Sequence, residues 1–488
     1  MDALVLLAPL APAAAAVLAA ATGWRRVSAL GTAVAALAIG ISGAVLAPAV
    51  AGGPRYALGG LLRADSLSAM LLIVIGAVGA LASFAGVNYL DAQIAAGRTG
   101  PRRARLYGTL VPGFLSAMVV AVLAANIGVM WAAVEATTVI TAFLVGHRGQ
   151  RSALAAAWKY VVICSVGIAL ALLGTVLLYF AAEQAGVPPG QALDLDTLLA
   201  HAGGLDPAVT RLAAGLLLIG YGAKAGLVPF HTWLADAHSQ APSPVSALMS
   251  GVLLAVGFSA LLRLAPVLAP AAGAGYLRTG LLVLGLATVA VAALLLTVQA
   301  DLKRMLAYSS MENMGLIAIA ASVGSRLAVA ALLLHVLAHG LGKTVLFLAA
   351  GTLQESHEST AISAIRAVLA RSRLIGISFA VGIAVVVAVP PFAMFASEVA
   401  IARSLADARL GWVLAVAGVF VLIAFAALVS RTVGMLLGAP DAGAPAIAVP
   451  RSVAVVLVVG VLACLALGVT AGPLAGVIEQ AAALVGGS

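Results

Sequence analysis

Residues 216–233, LLLIGYGAKAGLVPFHTW, combine an apolar run suited to a bilayer with a lysine and a proline. Lys224 places an ammonium group in that run, which costs about 2.5–3.5 kcal/mol at the centre of a membrane helix on insertion scales. Pro229 lacks a backbone donor and interrupts the hydrogen-bond ladder of a helix. A charged side chain beside a broken membrane helix is typical of sites that move ions near the middle of a bilayer. The stretch therefore predicts a chain that conducts charge.

The composition of the whole chain agrees with a membrane environment. Hydrophobic residues make up 63% and charged residues 9%, whereas charged residues make up about 25% of soluble domains. The 52 glycines suit close packing of membrane helices. Cys164 and Cys464 lie in apolar runs and offer neither a disulfide framework nor a metal-binding spacing. The composition predicts an all-α polytopic membrane protein.

Apolar segments of about 20 residues, the length that crosses a bilayer, predict about fourteen transmembrane helices. The fourth and fifth segments are nearly continuous, so a count of thirteen remains open. The segments are 3–22, 27–50, 66–90, 107–125, 127–146, 153–182, 208–235, 243–266, 279–299, 304–324, 327–352, 373–407, 410–436 and 452–472.

The basic residues predict the orientation of these segments. If the N-terminus lies outside, the cytoplasmic loops hold most of the loop Lys and Arg residues, as the positive-inside rule requires. Among them are Arg102, Arg103, Arg105, Arg148 and Arg151. The net charge of +9 is then mostly a topology signal. We expect a multi-pass protein of the cell inner (cytoplasmic) membrane, and no nucleic-acid binding because no concentrated basic surface is present.

Two proline breaks divide the chain. Pro229 interrupts the seventh segment, and Pro390 with Pro391 precedes Glu398 in the twelfth. Paired breaks in corresponding segments indicate inverted repeats around a buried site; the alternative is that each proline only kinks its helix. We expect two inverted five-helix repeats, 107–266 and 267–436, between N-terminal helices 1–3 (1–106) and a C-terminal transmembrane helix (437–488).

Several ionisable residues lie deep in the predicted helices. Glu135, in NIGVMWAAVEATTVITAFLV, pairs in the simplest hypothesis with Lys224, and transfer of a proton would switch that pair. The alternative is a static ion pair between helices. His335, His339 and Lys343 recur at i, i+4 and i+8 and so share one helix face. Such a column suits proton hopping because imidazole titrates near neutrality; metal binding or structural hydrogen bonding are the alternatives.

Other titratable residues are accessory candidates. Lys159 lies near a helix end, where its side chain can instead snorkel to the interface. His231 and His238 flank the first break and either gate entry or cap the broken backbone. Asp301, Lys303 and Arg304 suit an ordinary charged interface, whereas Glu312 lies two turns deeper in the helix.

Five blocks in order resemble the antiporter-like subunits shared by respiratory complex I, Mrp-type multisubunit sodium/proton antiporters and group-4 nickel–iron hydrogenases. The blocks are VEATTVITAFLVG, GYGAKAGLVPFHTWLADAHSQAPSPVSALMSG, ADLKRMLAYSSMENMG, HVLAHGLGKTVLFLAAG and PPFAMFASEVAI. The resemblance covers nearly the whole chain. It implies a fourteen-helix fold with inverted five-helix repeats, broken helices 7 and 12, and a hydrated axis near mid-membrane.

The resemblance also implies roles for residues that match the motifs. Glu135 and Lys224 match the coupled pair of helices 5 and 7, and Glu398 matches the terminal carboxylate of helix 12. Lys343, with His335 and His339, matches the relay of helix 11. Ser250 and Ala255 stand where many members carry a titratable residue in helix 8, which leaves water, Ser250 or Ser259 to bridge the two halves.

AAWKYVVICSVGIALALLGTVLLY and AYSSMENMGL look most like the hydrogenase-4 type of membrane subunit. The expected function is proton translocation within a multisubunit redox-driven complex, with sodium possible as the ion. The resemblance implies no cofactor in this chain, and nickel–iron and iron–sulfur centres in a soluble redox module formed by partner subunits. A complex I subunit, a sodium/proton antiporter subunit and a non-pumping membrane scaffold are the alternatives.

Overall fold

The chain folds almost entirely into helices. A computed structural model describes residues 2–440 and 445–486. The helices that precede the first break are α1 Asp2–Thr22, α2 Arg26–Ala49, α3 Ser66–Ala95, α4 Pro101–Leu123, α5 Ile127–Val145, α6 Arg151–Gln184, α7 Leu195–His201 and α8 Pro207–Lys224. A two-stranded antiparallel hairpin, β1 Arg55–Ala57 and β2 Leu62–Ala64, lies between α2 and α3.

The second half of the chain repeats this pattern of long and interrupted helices. Its helices are α9 Trp233–Gln240, α10 Ser243–Leu248, α11 Leu254–Ala272, α12 Ala274–Thr297, α13 Leu302–Val323, α14 Arg326–His357, α15 Val368–Arg371, α16 Arg373–Val386, α17 Ala393–Asp407, α18 Gly411–Leu436, α19 Arg451–Val469 and α20 Gly472–Val485. A π-helical segment, Met249–Leu253, joins α10 to α11 without a break in the helical path.

Within residues 2–440 and 445–486, eleven helices are long and apolar enough to cross a membrane. The other three predicted segments correspond to helices that are short, charged or interrupted. The seventh ends at Lys224 and resumes at Trp233, and the twelfth ends at Val386 and resumes at Ala393. The tenth is α13, which carries Lys303 and Glu312. The multi-pass helical membrane fold is therefore confirmed.

Two predicted boundaries are wrong for identifiable reasons. The fourth helix begins at Pro101 rather than near residue 107, because proline suits the first helical position and the arginines that follow occupy the first turn. The eleventh helix runs on to His357, because the polar residues after Gly351 continue the helix beyond the apolar run. Hydropathy alone marks the apolar part of a helix and not its polar ends.

The helices around the core differ sharply in burial. The apolar window of Ser243–Ala272 is wholly enclosed by other helices, and that of α14 nearly so, whereas most of α18 is exposed. The two central helices approach at a glycine pair, where a Cβ added to Gly251 would lie 3.1 Å from the carbonyl oxygen of Gly340. Close backbone contact of this kind needs residues without side chains.

A buried ion cluster joins the β-hairpin to the core. The Arg263 guanidinium donates to both carboxylate oxygens of Asp65, at 2.8 and 3.3 Å, and to the Ser68 hydroxyl at 2.9 Å. Arg63 binds Asp65 from the other side and reaches Asp196 with its Nε at 3.0 Å. Because Asp65 also caps α3 through the Ser68 amide, the cluster fixes the start of that helix against α11.

We expect Arg263→Ala to destabilise the protein by about 3–5 kcal/mol, because removal of one partner leaves a buried carboxylate without its main counter-charge. Thermal unfolding of the purified protein in detergent measures the effect. Arg403→Ala is the control, since the Arg403–Asp407 pair is exposed at 3.8 Å and such pairs contribute about 0–1 kcal/mol. Equal shifts in the melting midpoint for the two variants would contradict a structural role for the cluster.

Candidate functional site

The first helix break places Lys224 at the end of α8. Lys224 is the last residue of that helix, where the negative end of the helix dipole favours a cation. Gly226, in the left-handed region at φ +78°, turns the chain so that the Leu227 amide donates to the Gly222 carbonyl at 2.9 Å. The Trp233 indole closes the break by donating to the Ala223 carbonyl at 3.0 Å. The broken backbone is thus satisfied by the chain itself.

The Lys224 ammonium is fully buried and is held by neutral oxygens. It donates to the Thr138 hydroxyl at 2.8 Å and to the Tyr160 hydroxyl at 2.7 Å. The expected direct ion pair with Glu135 is not formed, since no carboxylate oxygen among the described residues lies within 4.0 Å of its nitrogen. Glu135 instead accepts from the Ser165 hydroxyl at 3.2 Å, and its second oxygen is buried without a hydrogen-bond partner in the described chain.

Lys343 is the second fully buried lysine. Its ammonium donates to the Leu306 carbonyl at 2.8 Å and to the Ser309 hydroxyl, both on α13. Like Lys224, it forms no ion pair with a carboxylate of the described residues. Lys224 and Lys343 therefore depend on uncharged oxygen atoms, as does the third fully buried lysine, Lys303.

His335 and His339 lie on the same helix as Lys343 but have different surroundings. Both ring nitrogens of His335 are bonded, Nδ1 to the Ser397 hydroxyl and Nε2 to the Asn313 side-chain oxygen, each at 2.9 Å. A metal ion would have to displace one of these partners. His339 is also buried, and its Nε2 has no hydrogen-bond partner in the part of the chain that the structure describes.

The hydrogen bonds of His335 connect it to one carboxylate and to the residue that precedes a second one in sequence. Asn313 donates to Glu312 Oε2 at 3.1 Å, and Glu312 is buried in α13. On the other side, Ser397 directly precedes Glu398 in α17, the half-helix that follows the second break. Glu398 is half-buried. The structure thus brings His335 and Glu312 into one network whose other end lies next to Glu398.

The accessory candidates divide into surface and interior groups. Lys159 is 62% exposed and binds Asp236 at 2.8 Å, which fits the snorkelling alternative. His238 is buried and bonds through Nδ1 to the Leu234 carbonyl of its own helix at 2.8 Å. It does not cap the break, because Trp233 does. His231 is half-buried in the break, and its Nδ1 lacks a partner among the described residues.

The assignment of Lys303 to an ordinary charged interface is wrong. Its side chain is fully buried, and its ammonium donates to the Ala241 carbonyl at 2.6 Å. Asp301 has a structural role, because its carboxylate caps α13 through the Arg304 amide at 2.9 Å. Lys303 ties α13 to the loop between α9 and α10.

The helix Ser243–Ala272, called the central helix from here on, contains a polar contact where the resemblance predicts a titratable group. Ser250 lies in the π-helical segment, and its hydroxyl is 2.7 Å from that of Ser310 on α13. Ala255 is buried. Ser259 donates to the Val256 carbonyl of its own helix at 2.7 Å and contacts no hydroxyl of another helix among the described residues.

Sequence reasoning missed the neutral partners of the buried charges. Thr138 follows Glu135 by three residues and so lies on a neighbouring part of the same helix face. Asn313 and Ser397 are adjacent in sequence to Glu312 and Glu398. Hydroxyl and amide groups beside a buried ionisable residue were the available signal.

A family model described as "NADH:quinone oxidoreductase/Mrp antiporter, TM" matches residues 124–424, which is more than half of the chain. The match includes both helix breaks, Lys224 and Lys343. The chain belongs to this family. A hydrogenase-4 component F homolog of Methylacidiphilum infernorum is 34% identical over 385 residues, covering 78% of this chain and 80% of that protein. Hydrogenase-4 component B of Escherichia coli is 29% identical over 69% of this chain and 50% of its own length.

Solved structures share the fold over nearly the full length of this family member. A chain of the membrane-bound sulfane sulfur reductase, an archaeal respiratory membrane complex, superposes with a TM-score of 0.87 at 24% identity, covering 99% of this chain and 97% of that one. A chain of respiratory complex I from Thermus thermophilus gives 0.84 at 22% identity, covering 99% and 100%. A chain of the Mrp complex from Dietzia sp. DQ12-45-1b gives 0.83 at 20% identity, covering 99% and 97%.

We expect Tyr160→Phe to slow proton uptake by the intact complex reconstituted in vesicles about tenfold or more, because a hydrogen bond to a charged group contributes about 1.5–3 kcal/mol. A pH-sensitive dye inside vesicles measures the uptake. Tyr179→Phe on the same helix is the matched control, since its hydroxyl bonds Glu183 at 2.8 Å, away from Lys224. Equal uptake by the two variants would remove Tyr160 from the site.

Proposed function

We propose that this antiporter-like subunit translocates protons within a multisubunit, redox-driven membrane complex. The observation that carries the proposal is that Lys224, at the first helix break, and Lys343, on the helix of His335 and His339, are buried on neutral oxygens alone. A fixed structural charge in the interior is normally paired, because desolvation is costly. Hydroxyl and carbonyl groups stabilise the charged form of a lysine less than a carboxylate does. Such a lysine can release a proton when its surroundings change.

The proposed path uses both halves of the molecule. Redox chemistry in partner subunits alters the distribution of protons between Glu135 and Lys224, which form no direct ion pair. The change passes to His335, His339 and Lys343, and then to Glu398 in the second broken helix. Glu312 and its Asn313 contact give this path a second carboxylate. In this scheme Lys159 and His231 lie on the approach to the first break.

We propose fourteen spans with two inverted five-helix repeats. Three interrupted or charged segments, namely α8 with α9, α13, and α16 with α17, complete the eleven apolar spans. The breaks after Lys224 and before Glu398 occupy corresponding places in the two proposed repeats, 107–266 and 267–436. The distribution of arginines supports an inner-membrane location with the N-terminus outside.

The complex that best fits the chain is a group-4 membrane-bound nickel–iron hydrogenase. The hydrogenase-4 component F homolog, at 34% identity over 80% of its length, supports this choice over complex I and over a sodium/proton antiporter. Nickel–iron and iron–sulfur centres would belong to a soluble module of partner subunits, whose reactions supply the free energy.

A second candidate is a membrane scaffold that anchors a redox module without moving protons. Ala255 favours it, because the central helix offers no titratable side chain at that position. The buried lysines and the His335 network favour translocation.

We expect Lys224→Ala to abolish proton uptake by the complex reconstituted in vesicles, because the path loses its proton-carrying amine. Assembly should remain intact, as judged by the subunits that co-purify. Arg26→Ala is the control, since that side chain is largely exposed and lies outside the proposed path, and it should retain most of the uptake. Unchanged uptake in Lys224→Ala would exclude translocation and favour the scaffold.

Metal analysis of the complex purified from native membranes tests the choice of complex. We expect nickel together with iron in the co-purifying subunits, because the proposed catalytic centre contains both. Iron with flavin and no nickel would instead assign the chain to a complex I-type enzyme. A chain that purifies alone and transports ions would indicate a freestanding transporter.

A further inference from the structure

We propose that Ser250 and Ser310 form a hydroxyl relay that carries protons between Lys343 and the central helix, in place of a titratable side chain. The inference rests on the proposed function and specifies one of its steps. It assigns a role to Ser310, which the sequence did not single out as a site residue, and it explains how protons could cross the central helix without a titratable group at Ala255.

The contacts around Leu306 bring the relay and the lysine to one atom. The Ser250 and Ser310 hydroxyl oxygens are 2.7 Å apart. Ser310 also donates to the Leu306 carbonyl at 3.0 Å, and the Lys343 ammonium donates to the same carbonyl at 2.8 Å. Because Ser310 uses its proton for Leu306, Ser250 is the donor within the pair. The Lys343 nitrogen and the Ser310 hydroxyl therefore donate to the same carbonyl oxygen.

Burial separates these three side chains from bulk solvent. Ser250 and Ser310 are at most 1% exposed, and Lys343 is fully buried. In such surroundings a hydrogen bond is stronger than in water, and neighbouring bonds polarise one another. A hydroxyl can donate and accept at the same time, so two hydroxyls in contact can pass a proton without carrying a lasting charge.

The π-helical segment positions Ser250 between the two halves. Segments of this type are rare and often lie at functional sites, and this one spans Met249–Leu253. Gly251 in the segment touches the backbone of Gly340 on α14, the helix that carries Lys343. Further along, Gly257 touches Lys224, and a Cβ added to Gly257 would lie 3.0 Å from Lys224 Cγ. The helix that carries Ser250 thus contacts the elements of both buried lysines.

The transfer balances in protons. A hydronium ion on the Lys224 side gives one proton to the Ser250 oxygen, Ser250 passes its own hydroxyl proton to Ser310, and Ser310 turns from the Leu306 carbonyl to give its proton to a neutral Lys343 amine. The hydronium becomes water, each serine keeps one proton, and Lys343 becomes an ammonium group. Ser250 and Gly257 are separated by about 10 Å at 1.5 Å per residue, so water molecules must cover that interval.

The test measures proton uptake per electron by the intact complex, purified from native membranes and reconstituted in vesicles with a pH-sensitive dye. We expect Ser310→Ala and Ser250→Ala each to lower this ratio on the order of tenfold or more, because an interrupted relay loses a proton-transfer step. Ser250→Thr keeps a hydroxyl and should restore most of the ratio. Ser250→Ala leaves the hydrogen bond between Ser310 and Leu306 in place. This variant therefore tests the relay if the complex with Ser310→Ala does not assemble.

Two buried hydroxyl residues on α13 and α14 are the controls. Ser322 on α13 bonds the Ile319 carbonyl at 2.6 Å, and Thr352 on α14 bonds the Leu348 carbonyl at 3.3 Å. Alanine at either position should leave the ratio unchanged. If Lys343→Ala abolishes uptake while Ser250→Ala and Ser310→Ala behave like the controls, the hydroxyl relay is wrong and the proposed function stands. If Lys343→Ala retains full uptake, the proposed function fails and the relay fails with it.

Discussion

The rest of the structure depends on one constraint, which is that the ammonium groups of Lys224 and Lys343 lie in a membrane-embedded interior without a carboxylate in contact. An ammonium at mid-membrane is costly, and the protein offsets the cost with oriented neutral oxygens. Thr138 and Tyr160 serve Lys224, while Ser309 and the Leu306 carbonyl serve Lys343. Solvation by neutral groups keeps each lysine in place without fixing its charge, and that freedom is the basis of the proposed proton path.

The helix breaks and the close glycine contacts follow from the same constraint. A helix that stops at Lys224 directs its C-terminal dipole at the ammonium, and the Trp233 indole then binds the freed Ala223 carbonyl. Close approach at Gly251 and Gly340 holds the central helix against α14. The helices Ser243–Ala272 and α14 are enclosed on nearly all sides, whereas α5 and α6, which bring Thr138 and Tyr160 to Lys224, are only partly buried and α18 is buried least.

The sequence predicts where the long helices and the helix breaks lie, but it does not predict which side chains contact each other. Apolar length located the long helices, and Pro229 with Pro390–Pro391 located the breaks, because both signals are local. The Glu135–Lys224 contact was expected from opposite charge alone, but the orientation of α5 instead presents Thr138 to the ammonium. Lys303 was assigned to an interface because its neighbours are charged, yet tertiary packing buries it. Which hydroxyl meets which ammonium depends on helix rotation, and hydropathy does not specify rotation.

The most direct test of the central claim is whether a buried charge of this chain changes its protonation during turnover. Difference infrared spectroscopy of the intact complex, triggered by its electron donor, reports the protonated carboxyl group of Glu135. The account predicts a carboxyl band that appears on turnover and is missing in Glu135→Gln, while Glu183→Gln on α6 keeps it. A turnover spectrum that is identical in wild type and Glu135→Gln would contradict the account, because the charge beside Lys224 would then be static.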